Sequence, residues 1–378
     1  MSDRSPGIIV SRPRLDAPGL AALGRRWRAL EATSDASAFQ TWTWIGCNAA
    51  ERFPDPLLIE AHDNEGLAAL ALCNRRRSVL LGDTLWLHES GDAVHDAVFT
   101  EHNDPLLARR APSRLLIQLL QGALQPYDGR VPRLVLSGVG EATRAAARQT
   151  GAAFIPGRAR VAPYVDFTAI APGTRFIDQC SANTRQQLRR SDRSYAARGE
   201  LRVETAQTAE QATRFLDALI ALHTATWSAR GKPGAFATDA MRRFHRCLIH
   251  RGVPGEVELL RISAGSSVVG YLYNLVRAGR ACAYQSGFDY PGAPTHAKPG
   301  LTCHHLAIEA HRGRGGLSYD FLGGADRYKR SLANAERTLH WLSIARRRHP
   351  AALLARLRRL AGRWCLKLRQ LTIIKAVA

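Results

Sequence analysis

The stretch from Arg280 to Lys329 constrains the fold more than any other part of the chain. It reads RACAYQSGFDY, then PGAPTHAK, then PGLTCHHLAIEAHRGRGG and LSYDFLGGADRYK. Ala281 to Asp289 has the pattern of a strand. A Pro- and Gly-rich loop carrying Lys298 follows, and Pro299-Gly300 opens an apolar-periodic helix on which Leu301, His305, Ala307 and Ile308 share a face. Gly315-Gly316 ends that helix, and Leu317 to Leu322 reads as a second short strand. A strand, loop, helix, strand unit of this kind points the unpaired N–H groups of its helix start into the loop, where an anionic group is the natural occupant.

The remainder of the chain supplies partners for that unit. Ile8 to Arg12 reads as a strand, Gly19 to Glu31 and Phe39 to Arg52 as helices, and Leu57 to Ala61 with Leu67 to Asn74 as a hairpin turned by HDNEG. Thr84 to Leu87 and Arg133 to Ser137 are further strands; Ser113 to Leu124 and Glu141 to Thr150 are helices. Residues 152 to 180 carry Pro156, Pro163 and Pro172 and read as strand and loop material containing a domain boundary. Ser181 to Arg198 is a basic helix closed by Gly199, with Arg185, Arg189 and Arg193 on one face. Leu201 to Thr205 alternates as a strand, Thr208 with Gln211 caps a helix through Trp227, and Thr238 caps another ending near Gly252. Val257 to Ile262 and Val268 to Val276 are strands joined by a tight turn, and Arg337 to Ala345 is the last. A chain of 378 residues suits about two domains. The division expected is a first lobe over 1–165, a linker and basic helix over 166–200, a catalytic lobe over 201–348 and a basic amphipathic tail over 349–378.

From residue 201 onward that order, β-α-α-β-β-β-α-β and a final β, is the topology of the GNAT acyltransferase fold. At residue level NTRQQLRR, LHTATWSARGKPGAF, the KPGL helix start and YDFLGGADRYK resemble the CelD-like, FemAB-related branch of that superfamily. The resemblance covers roughly 175 to 345, and the first half reads as a degenerate copy of the same fold. The fold class expected is therefore α/β (α+β): two tandem GNAT-like lobes, each a mixed, mostly antiparallel sheet flanked by helices. The resemblance implies acyl transfer from acyl-CoA to an amine, in envelope or exopolysaccharide biosynthesis. The Fem relatives use aminoacyl-tRNA instead. The loop THAKPGL departs from the usual Gln/Arg-x-x-Gly-x-Gly/Ala pyrophosphate motif, which leaves the donor open. HNDPLLARRAPSRLL, the matching stretch of the first half, opens its helix with Pro112 but has no Gly, so the donor site is expected in the second lobe.

Thioester aminolysis needs bound donor phosphates, a neutral amine and N–H groups for the oxyanion. Donor contacts are expected from the backbone of Gly300, Leu301 and Thr302, from Lys298 as a point charge, and from Gln285. Tyr284 and Ser286 face one side of their strand and Gln285 the other; Tyr284 has a buried structural reading beside the catalytic one. Asp320, mid-strand, is expected to have a carboxyl pKa raised by burial and to act as general base, or else to hold an Arg or backbone N–H groups. Tyr328 and Lys329 bind the acceptor or protonate the leaving thiolate. His223, Trp227 and Arg230 are candidates to fold over the acceptor, with Arg185 and Arg189 as further substrate contacts; a satisfied core histidine is the other reading of His223. No metal site is expected, and GxSxG, HExxH and Walker motifs are missing.

The net charge of +21 implies either a basic soluble surface or a polyanionic partner. Nucleic acid enters only if the donor is aminoacyl-tRNA; a non-catalytic polyanion-binding protein on the same fold is a further alternative. Seven scattered cysteines without a CxxC pair fit a reducing compartment. The start of the chain has no signal-length apolar run, so the expected location is cytoplasmic, or peripheral on the inner membrane face. No acid follows Glu336. Leu353, Leu357, Leu360, Trp364 and Leu368 make one stripe, flanked by Arg356, Arg359, Arg363 and Lys367. The stripe packs on the second lobe, or lies in an anionic membrane surface.

Overall fold

The computed structural model describes residues 7–78, 82–324, 326–358 and 360–361. The first half runs β1 (Gly7–Ser11), α1 (Ala17–Ala32), α2 (Trp42–Arg52), β2 (Pro56–Asp63), β3 (Gly66–Arg76), β4 (Thr84–Leu87), β5 (Leu106–Leu107), α3 (Ser113–Gly122), β6 (Arg133–Val139), α4 (Glu141–Gln149) and β7 (Ala153–Asp166). The second half runs α5 (Phe176–Gln179), α6 (Ala182–Ala196), β8 (Leu201–Thr205), α7 (Ala209–Ser228), α8 (Asp239–Gly252), β9 (Val257–Ala264), β10 (Ser267–Arg277), β11 (Arg280–Phe288), α9 (Pro299–Gly313), β12 (Ser318–Asp320), α10 (Arg327–Leu332) and β13 (Ala335–Ala345).

All these strands join one sheet, ordered β1-β2-β3-β4-β6-β13-β7-β12-β11-β10-β9-β8, with β5 added to β3. Each half repeats one plan. β4 pairs parallel with β6, and β11 pairs parallel with β12, whereas the flanking pairs are antiparallel. The outermost strand of each plan is exchanged: β13, last in the chain, lies on β6 of the first half, and β7 lies on β12 of the second. The two exchanged strands pair with each other along most of their length. Trp341 sits at a register shift in β13, a bulge that bends the centre of the sheet.

Alternation along the strands feeds cores on both faces. In β3, Leu70 and Leu72 join a core with α1, α2, α7 and α8, while Ala69, Ala71 and Cys73 join another beneath α3. A third core lies under α6 and α9, where Leu188, Tyr195, Ile308 and Tyr319 are buried together. The first core belongs to both halves. Trp44 of α2 meets Phe244 of α8 edge-on at 5.1 Å and Tyr284 of β11 at 5.6 Å. Burial of each such ring is worth roughly 1.5–3 kcal/mol, so the halves are held by packing as well as by the strand exchange. The basic helix α6 is likewise part of the packed second half, fastened to α9, rather than a free connector.

Candidate active site

The site follows from how β11 and β12 part. They are paired at Arg280–Ser318, Ala281–Tyr319 and Cys282–Asp320. There β12 ends, while β11 continues to Phe288, leaving residues 283–288 without a strand partner on that side. The chain beyond β12 turns away through Leu322, a non-glycine residue with φ of 60°, and Gly323. α9 packs on β11 and β12, its start at Gly300 lying beside Phe288, while α10 packs on β7.

At the start of α9 most donors are already used. The Lys298 amide donates to Ser191 Oγ (2.8 Å), and the Leu301 and Thr302 amides return to the Lys298 carbonyl. The Thr302 hydroxyl is buried, donating to Asp192 Oδ1 at 2.8 Å, and Asp192 in turn meets His305 Nδ1 at 2.8 Å. The expected cradle of three amides is thereby reduced to one: among the described residues Gly300 alone of that first turn keeps a free N–H. Leu301 and Thr302 are corrected to structural roles. Lys298 Nζ is exposed and donates to Gln187 Oε1 at 2.6 Å, which holds the ammonium beside α6. A β-carbon at Gly300 would come within 3.1 Å of the Phe288 ring, so bulk there closes the opening.

Aromatic side chains line its sides. Tyr328 of α10 is 39% exposed and its ring stacks on His304 at 5.6 Å; Phe288 and Phe321 pack against His304 edge-on. Burial, then the Asp326 charge, pushes the Tyr328 hydroxyl above the ordinary tyrosine value, so it stays protonated. Tyr290 is exposed across from it, beside Arg230. The Arg230 guanidinium and the Lys232 ammonium both lie over the Trp227 ring, at 5.6 and 5.7 Å. His223 is different. It is buried, Nδ1 donates to the Ser286 carbonyl (2.9 Å) and Nε2 accepts from the Ala235 amide (3.1 Å). With both nitrogens used it ties the loop after α7 to β11, and the substrate-binding expectation gives way to the structural one.

The other face of the opening belongs to both halves. His102, from the loop before β5, places Nε2 3.1 Å from Asp320 Oδ2, and Arg337 Nε lies 3.6 Å from the same oxygen. Neither nitrogen is aligned for a hydrogen bond, so both meet Asp320 mainly as charges. Burial would raise the Asp320 carboxyl, but His102, Arg337 and the Leu322 amide outweigh it and hold the pKa below the ordinary value. The expected upward shift is therefore reversed: Asp320 stays ionised. Burial opposes protonation of His102, yet the Asp320 charge prevails and raises its pKa. His102 has φ of 48°, in the left-handed region that histidine enters more readily than most residues. A cleft of about 320 Å³ is lined by His102, Arg280, Cys282, Ser318, Asp320 and Arg337.

Next to it Glu101 Oε2 accepts from the Gly323 amide at 2.5 Å, and burial raises its pKa. Lys329 is buried, its ammonium 3.2 Å from the Gly323 carbonyl and 3.4 Å from that of Leu322, with a pKa lowered by desolvation. It braces the turn after β12 from within. Tyr284, expected near the reacting centre, is packed in the shared aromatic core and donates its hydroxyl proton to the Val98 carbonyl; its role is structural. Gln285 is half-buried on the opposite face, across from Tyr273 of β10. Sequence reasoning gives Glu101 and His102 no role and names Arg337 only as the start of the last strand; the HND run that begins at His102 is the one local signal.

Arg185 and Arg189 lie away from this centre. With Arg175, Arg193, Asp192 and Glu309 they line a groove of about 680 Å³ on the outer side of α6 and α9. Arg185 donates to the Asp178 carbonyl (3.0 Å) and Arg189 approaches the Asp178 carboxylate (3.5 Å), so part of their charge is already met.

Residues 182–330 match the family Acetyltransf_6, described as acetyltransferase (GNAT) domain. No curated sequence matches the chain. Among solved structures the chain is similar to FemX, at 9% identity and a TM-score of 0.57, covering 85% of this chain and 95% of that one. It is similar to L-PGS from Bacillus licheniformis, at 12% identity and a TM-score of 0.52, covering 88% and 96%. A conserved protein of unknown function from Bacteroides thetaiotaomicron is similar at 10% identity and 0.54, covering 90% and 100%. These likenesses show a shared fold over nearly the whole chain.

Proposed function

We propose that the chain is an N-acyltransferase that moves an acyl group from an activated donor, acyl-CoA, to an amine of an envelope or exopolysaccharide precursor or another small acceptor. One observation carries the reading. Pairing of β11 with β12 stops at Cys282–Asp320, where His102 meets Asp320, and α9, which packs on both strands, starts at the free Gly300 amide with Tyr328 stacked on its His304. The match of residues 182–330 to a GNAT domain supports it. The lobes 1–165 and 201–348 then act as one unit, since His102 comes from the first and Asp320 from the second.

In this reading an acyl thioester supplies the activated carbonyl. Gly300, with Lys298 and Arg230 nearby, holds donor phosphates, and Phe288, Tyr290 and Tyr328 flank the arm of the donor. His102, neutral above its raised pKa, takes a proton from the attacking ammonium-derived nitrogen as the C–N bond forms. Asp320 stabilises the resulting imidazolium. Tyr328 gives its proton to the departing sulfur as the C–S bond breaks. Lys329 and Glu101 keep the turn after β12 in place.

The arginine groove on α6 favours a second reading, in which the donor is an aminoacyl-tRNA bound through its phosphates. Transfer assays separate the two. The acyl-CoA reading expects calorimetric binding of CoA, weakened in a folded Gly300→Glu variant, and turnover insensitive to RNase. Turnover that needs charged tRNA and stops on RNase treatment establishes the second. Salt-sensitive polyanion binding without any turnover would overturn both.

A further inference from the structure

Beyond β13 the chain forms a helix over residues 350–358 whose two sides are arranged the wrong way round for a packed helix. Ala352 is buried and Ala351 and Ala355 are half-buried, so small side chains face the protein. Leu353, Leu354, Leu357 and Leu360 are exposed, Leu357 by 62%. At about 100° per residue, Leu353, Leu357 and Leu360 fall in one stripe on the side away from Ala355. A helix that docks by its large apolar face would show the reverse burial. Leu353, Leu357 and Leu360 are therefore not packed on the second lobe, contrary to that expectation for this part of the stripe; Arg359, Arg363, Trp364, Lys367 and Leu368, which extend the pattern in sequence, lie outside the described side chains.

The charges around the stripe tell what would cover it. Arg347, Arg348, Arg356 and Arg358 are exposed and have no partner among the described residues. Arg346 is the exception: it bonds the Leu124 carbonyl at 3.1 Å and Gln125 Oε1 at 2.8 Å, fixing the start of the helix against the first half. Beside it a groove of about 550 Å³ is lined by Gly82, Asp83, Arg130, Arg347, Arg348 and Pro350. Leucines directed outward between rows of unpaired arginines match an anionic lipid surface, with leucines among acyl chains and guanidinium groups at phosphates. A second copy fits poorly, because a two-fold contact through the stripe would bring the same arginines together. No described helix is long and apolar enough to cross a membrane, so contact would be along the surface.

We propose that this face docks the protein on bilayers containing anionic lipid. The inference stands on the tail helix alone and is independent of the donor and acceptor proposed above. The test is co-sedimentation of the full chain with vesicles of phosphatidylcholine, with and without phosphatidylserine, at low and raised salt. The wild type is expected to pellet only with the anionic vesicles and to be released by salt. Arg347→Ala and Arg348→Ala should each weaken binding about fivefold. Leu353→Glu with Leu357→Glu should weaken it roughly tenfold or more, with an unchanged thermal melt because both positions are exposed. The proposal is overturned if the wild type ignores anionic vesicles or if the leucine variant binds as well as the wild type. It is also overturned if the wild type is a dimer that the leucine variant dissociates and that ignores lipid.

Discussion

His102 Nε2 and Asp320 Oδ2 stand 3.1 Å apart although one residue precedes β5 and the other ends β12. The exchange of β7 and β13 makes the meeting possible. With β7 laid against β12 and β13 against β6, the edge where β12 stops is carried to the loops of the first half. Backbone is left-handed at His102 and again at Leu322, two residues past Asp320. The first half thus places a charged side chain against β12 as well as supplying scaffold.

The pair makes stability depend on pH in a defined direction. Asp320 has a pKa below its ordinary 3.8, and His102 has one above its ordinary 6.5. The aspartate contribution is present above 3.8 and lost as pH falls through the lowered value. The histidine contribution is full below 6.5 and lost as pH rises through the raised one. The pair therefore stabilises most between those two ordinary values. Chemical denaturation of wild type and His102→Gln at pH 6 and pH 9 is expected to show a larger deficit for the variant at pH 6. An equal deficit at both values would mean that the histidine is uncharged throughout.

Turnover should follow the same pair. In Asp320→Asn the carboxylate that raises the His102 pKa is gone, so the acidic limb of the kcat profile is expected to move to lower pH. Its plateau should fall about 10²- to 10⁴-fold, the usual range for loss of assisted proton transfer. A variant that folds, turns over slowly and keeps the wild-type limb would show that another group takes the amine proton. Glu101, whose carboxyl is raised by burial, would be the next to test.

Tyr328→Phe keeps the ring that stacks on His304 and removes only a hydroxyl at a partly exposed position, so stability should change little. The expected loss is about 10²-fold in kcat with an ordinary thioester. The deficit should shrink with a donor whose leaving thiol is more acidic, because such a sulfur departs without help. A deficit that ignores the leaving group would place Tyr328 in donor binding instead.

Much of the scaffold was readable because local chemistry marks it. Thr84 to Leu87 and Leu201 to Thr205 are strands with the bounds expected from their alternation. The Thr208 side chain does accept from the Gln211 amide at the start of α7, at 3.2 Å. β7 was harder, since Pro156 and Pro163 suggest a broken segment. The strand tolerates both: Pro156 pairs next to the Trp341 bulge, and Pro163 serves β12's turn by its carbonyl, accepting from the Phe321 amide at 3.0 Å. The parallel β11–β12 unit and α9 were visible in outline, but Asp320, read as mid-strand, ends β12 because that strand stops three residues in. What stayed hidden depends on contacts distant in sequence. Nothing local to Asp320 shows that His102 will lower its pKa, and nothing local to His223 shows that Ser286 and Ala235 will occupy both nitrogens.

A last expectation concerns the thiols between the halves. Cys47 of α2 and Cys247 of α8 have their sulfurs 2.9 Å apart, and both are free. The two thiols share one hydrogen bond, and with Arg251 nearby the less buried Cys247 has the lowered pKa of the pair. Cys247 is half-buried while Cys47 is buried, so a reagent reaches Cys247 first. Treatment with diamide, which takes up the two electrons and two protons released, is expected to join the pair and lock α2 to α8. Peptide mapping under non-reducing conditions should then recover the Cys47 and Cys247 peptides linked, with a raised melting temperature that dithiothreitol reverses. Cys247→Ser should abolish both changes. Recovery of the two peptides unlinked after diamide, in protein whose exposed thiols have reacted, would mean that α2 and α8 do not bring these sulfurs together in solution.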